Sequence, residues 1–267
     1  MPGAGSLLAG RLRVVNDGPH PGRGGTEAAG LGLRERKKLR TRRALVDEAL
    51  RLFTEKGFAE ATLDELVDAV EVSQRTFFRN FSCKEDVALA PEKELWATYV
   101  ADIESRPPGP ARPVDFADAL FAAVRDMADG WERRFLASRA LCDRTPALVA
   151  HSLRHCAEVT DHLLNVLVER RPGAFAEGGR GAAEAAPESA ARGAAEPAAV
   201  DPEARLRVFL RFEATLAAWR WAVRQWSAEG AAADREALYG HMRAAFAALP
   251  DPPDPLDPPD RDRRARA

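Results

Sequence analysis

The chain has 267 residues, which is enough for one large domain or two smaller ones, and its formal net charge is −2. This balance excludes a polybasic coat for nucleic acid, so any affinity for nucleic acid must come from a local patch. No apolar run approaches the roughly 20 residues of a membrane-spanning helix, and residues 1–30 lack an apolar signal core, so we expect a cytoplasmic protein without a membrane partner.

The chain begins with a segment of low complexity that is followed by a basic helix. Residues 1–32 are rich in Gly, Pro and small side chains, and we expect a disordered tail. Residues 34–43 (RERKKLRTRR) carry seven basic side chains and one acidic one. The helix is predicted to continue through Lys56, to end at Gly57, and to have Phe58 folded back on its last turn. A solvated helix start is the alternative, but the motif that follows favours contact with phosphates.

Residues 62–84 (TLDELVDAVEVSQRTFFRNFSCK) are predicted to form two short helices joined by a tight connection. Thr62 is placed as the N-cap of the first helix, and Glu65 three residues later completes a capping box. One face of this helix is apolar, through Leu63, Leu66, Val67 and Val70.

The second short helix begins after the predicted N-cap Ser73 and is anchored by Phe77 and Phe81, which are four residues apart. Its outer positions are Gln74, Arg75, Thr76, Phe78, Arg79 and Asn80. A buried anchor beneath hydrogen-bonding side chains is what a helix that reads the DNA major groove requires. Two ordinary core helices are the alternative. That alternative predicts Lys, Glu and Asp on the outer face as often as Arg, Gln, Thr and Asn, and it leaves the basic segment before the motif unexplained.

From its basic start through LFTEKGF and ATLDELVDAVEVSQRTFFRNFSCKEDV, the segment 34–88 resembles the N-terminal domain of the TetR (tetracycline repressor) family of transcriptional regulators. The sequence has no strand-like alternating runs bounded by turns, so an all-α fold is predicted. The resemblance implies a three-helix DNA-binding domain at 33–88 and a larger helical regulatory and dimerisation domain at 89–249. It implies phosphate contacts at Thr41 and Thr62. It implies groove-facing positions at Gln74, Arg75, Thr76 and Asn80, and backbone or groove-edge contacts at Phe78, Arg79 and Lys84.

Two positions depart from the family's pattern. Glu71 stands where the family often has Gly in the turn, which costs about 1 kcal/mol if φ is positive there. Phe78 stands where the family often has Tyr, and it has no hydroxyl for a phosphate.

The rest of the chain is predicted to be helical. Ser82 and Glu85 form a predicted capping box that opens a helix from about Cys83 to Ser105, with Lys84 in its first turn, where a phosphate is favoured. Further helices are predicted at about 114–128, 131–142, 146–170, 203–228 and 233–248. Residues 172–202 are predicted to be a flexible loop, and residues 250–267 a disordered tail.

The segment 146–170 has two unlike faces. Its apolar side holds Val149, Leu153, Cys156, Thr160, Leu163, Leu164 and Leu167, and the opposite side holds His151, His155, Glu158 and His162. Solvent-facing histidines are the favoured interpretation, with pocket lining or a metal site as alternatives. Because no carboxylate or thiol motif of matching spacing occurs on another segment, we predict no metal and no cofactor.

The helix predicted at 203–228 is apolar on two sides. One stripe consists of Val208, Phe212, Leu216, Trp219, Val223 and Trp226, and the other of Leu206, Leu210, Ala217 and Trp221. A helix with two apolar sides must bury both, so the second side needs a partner. In TetR-like proteins the last two helices pair with their copies, which implies a homodimer; a thick monomeric core is the alternative.

Together these features predict a ligand-responsive regulator that binds double-stranded DNA at a palindromic operator, most simply a repressor. A small apolar or amphipathic effector is expected between helices of the regulatory domain, with Trp96, Trp131, Phe135 and Phe209 as lining candidates by aromatic content. An activator or an effector-independent DNA-binding protein is the alternative. A helical enzyme with a fused DNA-binding module is a remote one, because residues 114–249 lack paired carboxylates, a phosphate loop or a nucleophile motif.

Overall fold

The computed structural model describes residues 32–106, 113–170 and 202–249, and within them it is built from α-helices without a strand, so the all-α prediction is confirmed. The helices are α1 Leu33–Glu55, α2 Leu63–Ala69, α3 Gln74–Phe78, α4 Lys84–Ala88, α5 Ala90–Ser105, α6 Pro113–Arg125, α7 Trp131–Cys142, α8 Pro146–Arg170, α9 Pro202–Ala228 and α10 Arg235–Ala247. The predicted tails and the predicted loop at 172–202 lie outside the described residues, apart from Gly32 and Pro202. None of the described helices is long and apolar enough to cross a membrane.

The N-terminal unit, α1 to α4, packs around the inner stripe of α1. Leu45, Ala49 and Phe53 are buried there against α2, α3 and α4. Gly57 has a φ of 101°, which ends α1 at the expected residue, and the Phe58 ring returns to within 5.1 Å of the Phe53 ring centroid.

The single helix predicted from Cys83 to Ser105 is wrong, because the structure divides it at Leu89. Pro91 explains the division, since it has no N–H to donate to the carbonyl of Val87 in a continuous helix. The predicted capping box of Ser82 with Glu85 is also wrong. Ser82 donates its backbone N–H to Asp86 Oδ2 at 3.0 Å, and its hydroxyl donates to the same oxygen.

The C-terminal unit, α5 to α10, has an aromatic core. Trp131 stacks on Trp226 at a centroid distance of 6.3 Å, and its indole N–H donates to the carbonyl of Pro91 at 2.9 Å. The stripe of α9 predicted to face its own domain is buried here, whereas Leu206, Leu210 and Trp221 on the other side are 53%, 56% and 46% exposed. The two-sided character of α9 is therefore confirmed.

The orientation predicted for the first half of α8 is wrong. Val149 and Leu153, expected inside, are 42% and 63% exposed. His151 Nε2 instead lies 3.0 Å from Asp86 Oδ1. In the second half of α8 the predicted leucines are buried, and His162, expected to face solvent, has its Nε2 2.9 Å from Glu104 Oε1. The two histidines turn inward because Asp86 and Glu104 offer them polar partners there.

Candidate nucleic-acid interface

The predicted capping box at the start of α2 is confirmed. The Glu65 N–H donates to Thr62 Oγ1 at 3.2 Å, and the Thr62 N–H donates to Glu65 Oε2 at 2.9 Å. Hydrogen bonds from Lys56 and then from Thr62 lower the pKa of Glu65 to about 2, so this carboxylate stays charged at neutral pH. The entry into α2 is thereby fixed beside the end of α1.

The turn between α2 and α3 carries one strained residue. Glu71 has a φ of 55°, the left-handed region that a side chain disfavours, so the positive φ considered for this position is present. The Val72 N–H donates to the carbonyl of Val67 at 2.9 Å, which closes the turn tightly. The strain is held in place by the packing of the two helices on either side.

Helix α3 is short and firmly seated. Ser73 Oγ accepts from the Thr76 N–H at 3.2 Å, which confirms the predicted N-cap. Phe77 and Phe81 are both buried with their centroids 5.7 Å apart, so the predicted aromatic anchor is confirmed as well. With these rings facing inward, the opposite side of α3 faces solvent.

The exposed side of α3 presents side chains of the kind that read DNA. Gln74, Arg75 and Arg79 are exposed, and Phe78 is 56% exposed although it is a large apolar residue. An exposed phenylalanine beside two guanidinium groups suits contact with a thymine methyl beside phosphates.

Two predicted groove residues are held by partners within the protein. Asn80 and Thr76 are both half-buried. The Asn80 Nδ2 donates to the carbonyl of Thr76 at 2.8 Å. The Gln74 side-chain amide donates to the Asp64 carboxylate on α2. Base contact by either amide would require exchange of that hydrogen bond, whereas the Arg75 side chain is exposed.

Lys84 has an internal role that sequence reasoning did not foresee. Its ammonium donates to the carbonyl oxygens of Phe58 and Ala61, at 2.5 and 2.8 Å, and lies 4.6 Å from the Phe58 ring centroid. Two of its three N–H groups are thereby used, and one remains for a phosphate. The contact of Lys84 with the DNA backbone or groove edge stays a prediction.

Arg42 is a positioning residue that was hidden within the basic run. It is half-buried, and its guanidinium donates a hydrogen bond to the main-chain carbonyl of Asn80, just past the end of α3. Burial lowers its pKa, against the opposing influence of Glu94 and Asp86. Helical spacing could have predicted its burial, because Arg42 precedes the buried Val46 by four residues and so lies on the same side of α1.

The other basic residues of the run 34–43 are exposed and form a basic edge at the start of α1. They are Arg34, Arg36, Lys37, Lys38, Arg40 and Arg43. Thr41 is half-buried on the same helix, and Thr62 is exposed at the start of α2. Cations clustered at one end of a chain with balanced charge provide the local patch that phosphate binding needs.

The four predicted effector-lining residues do not lie together. Trp96, Trp131 and Phe135 are buried in one aromatic cluster, in which the Trp131 and Phe135 centroids are 4.8 Å apart. Phe209 is 37% exposed on the surface of α9. The structure therefore brings three of these residues together and separates the fourth.

Comparison with known proteins bears on the same segment. Residues 45–90 match the family described as "Bacterial regulatory proteins, tetR family". The chain is also 37% identical over 147 residues to "HTH-type transcriptional regulator TcmR" of Streptomyces glaucescens, a match that covers 53% of this chain and 65% of that protein. The matched region thus spans slightly less than two thirds of the relative's length.

Proposed function

We propose that this chain, which belongs to the tetR family of bacterial regulatory proteins, is a repressor that binds operator DNA as a homodimer and leaves it when an effector binds. Residues 33–88 would bind DNA, and residues 89–249 would form the regulatory and dimerisation part. The observation that carries the proposal is α3, which is anchored by buried Phe77 and Phe81 and presents exposed Arg75 and Phe78 to solvent. A helix of this kind fits the major groove while the basic edge of α1 meets phosphates.

The second apolar side of α9 supports the homodimer. Leu206, Leu210 and Trp221 are exposed on a helix whose other side is already buried. Pairing of α9 and α10 with their copies around a two-fold axis would bury these residues. Two recognition helices related by such an axis would bind a palindrome with half-sites roughly 10 base pairs apart or somewhat more.

A hydrogen bond between the two units supports control by an effector. Ser138 on α7 donates its hydroxyl to the carbonyl of Ala88 on α4 at 2.6 Å, and within the C-terminal unit Trp131 on α7 donates to Pro91 on α5. A small apolar or amphipathic molecule that displaces α7 would therefore shift α4 and the recognition helix behind it. If it binds better to subunits with misplaced recognition helices, it lowers DNA affinity, and DNA lowers effector affinity equally.

Footprinting of the full chain on the DNA upstream of its own gene tests the proposal. The expected result is protection of a palindromic sequence in two half-sites. Protection of one half-site, or binding equal to that on scrambled DNA, would overturn it. A control DNA with one half-site scrambled should bind more weakly, because one recognition helix then loses its base contacts.

A further inference from the structure

Three side chains of metal-ligand type meet where the N-terminal unit contacts α8. Cys83 Sγ, an Asp86 carboxylate oxygen and a His151 ring nitrogen all lie within 4.8 Å of one another. Cys83 is the N-cap of α4 and Asp86 lies in its first turn, whereas His151 comes from the C-terminal unit. All three residues are half-buried, so an ion could reach them without unfolding of the chain.

We propose that Cys83, Asp86 and His151 bind a zinc-class divalent cation that ties α4 to α8. Thiolate, imidazole and carboxylate are the three ligand types that Zn²⁺ takes from proteins, and three such ligands leave a further position for water. On binding, the ion would displace the thiol proton of Cys83, which passes to solvent. The sequence argued against a metal because no thiol or carboxylate motif of matching spacing was visible, but the fold brings both to His151.

A positive group already lies among these ligands. The Lys93 ammonium is bonded to the Asp86 carboxylate and lies 3.1 Å from His151 Nε2. The Lys93 side chain is 26% exposed on a flexible stem, so its ammonium can move to water when an ion enters. The second oxygen of Asp86 accepts from Ser82, which orients the carboxylate as outer partners of metal ligands do.

His155 supplies a second imidazole one helical turn from His151. Its Nε2 is buried without a hydrogen-bond partner. His155 lies outside the group of three, so it would become a fourth ligand in place of water only after its side chain moves toward His151.

The regulatory consequence rests on the proposed function, whereas the binding of the ion does not. α4 is the next helix after the recognition helix, with only residues 79–82 between α3 and Cys83. A cation shared by α4 and α8 would fix the recognition helix relative to the C-terminal unit. DNA affinity should therefore differ between the zinc-bound and the zinc-free chain.

Zinc titration of the chelator-stripped full chain against a chromophoric chelator tests the site. We expect about one zinc ion per chain, with affinity reduced about tenfold or more in Cys83→Ser and His151→Ala. The matched controls Cys156→Ser and His162→Ala should bind zinc like the parent chain. Cys83→Ser keeps a good N-cap residue, so loss of binding in this variant would not reflect loss of folding. A parent chain that binds no zinc, or equal binding by all four variants, would overturn the site.

Two further readouts sharpen this test. Cobalt in place of zinc should give a thiolate-to-metal charge-transfer absorption that Cys83→Ser abolishes, and its persistence there would exclude Cys83 as a ligand. Lys93→Met removes the competing ammonium and should tighten zinc binding by about tenfold or more. Weaker zinc binding by Lys93→Met would contradict the proposal that the Lys93 ammonium competes with the ion.

Footprinting with and without zinc tests the regulatory consequence separately. An unchanged footprint in the presence of bound zinc would overturn that consequence alone.

Discussion

The guanidinium of Arg42 donates a 2.7 Å hydrogen bond to the main-chain carbonyl of Asn80 and lies 4.3 Å from the centroid of the Phe81 ring. This pair of contacts joins the basic helix α1 to the end of the recognition segment. The carbonyl of Asn80 lies just past α3, where helix carbonyls lack partners within the helix. Arg42 therefore determines how the exposed face of α3 is held.

Arg42→Ala should lower the free energy of unfolding by about 2–3 kcal/mol, because a charged hydrogen bond and a ring contact are lost together. The matched control is Arg43→Ala, since Arg43 is exposed on the same helix. This control should leave the unfolding free energy within about 0.5 kcal/mol of the parent value while weakening DNA binding on all sequences. Urea denaturation at fixed protein concentration measures the difference. Equal stability of the two variants would contradict the role of Arg42.

Glu71→Gly should stabilise the chain by about 0.5–1 kcal/mol, because glycine adopts the φ of 55° without the strain that the glutamate bears. Ala69→Gly, two residues earlier in helix α2, is the matched control and should destabilise by about 0.5–1 kcal/mol. Thermal or urea unfolding of both variants makes the comparison. A destabilised Glu71→Gly would show that the side chain contributes more than the turn geometry costs.

Trp221→Asp should produce monomers in sedimentation equilibrium. An exposed tryptophan at an interface contributes a large share of the binding energy, and an aspartate there would leave a charge buried without a partner. Ser227→Asp adds the same charge at another exposed position of α9 and should remain dimeric. A persistent dimer of Trp221→Asp would place that side of α9 away from the subunit interface.

Lys84→Ala should cost about 1–2 kcal/mol of stability, because the carbonyls of Phe58 and Ala61 lose a charged donor. If the remaining N–H contacts a phosphate, DNA binding should weaken on every sequence and the salt slope should fall by about one. Binding measured across salt concentrations tests the second effect. A loss confined to one operator sequence would exclude a phosphate contact.

Local patterns predicted the elements that depend on local physics. The capping box at Thr62, the N-cap at Ser73 and the end of α1 at Gly57 each involve residues within a few positions of one another. The buried stripe of α9 followed in the same way from helical periodicity.

The failures arose where distant segments meet. His151 turns inward because Asp86, 65 residues earlier, offers a partner, and Lys84 turns toward Phe58 and Ala61 for the same reason. The division at Leu89 could have been predicted, since Pro91 is visible in the sequence and a proline is favoured in the first turn of a new helix.

The central claim is that α3 reads bases, and Arg75 tests it most directly because its side chain is exposed on that helix. Fluorescence anisotropy would compare the Kd for the footprinted operator with that for scrambled DNA, in the parent chain, in Arg75→Ala and in the control Arg125→Ala on α6. We predict that Arg75→Ala loses about 1–3 kcal/mol of discrimination while the control keeps it. Unchanged discrimination in Arg75→Ala would contradict the assignment of α3 as the reading helix.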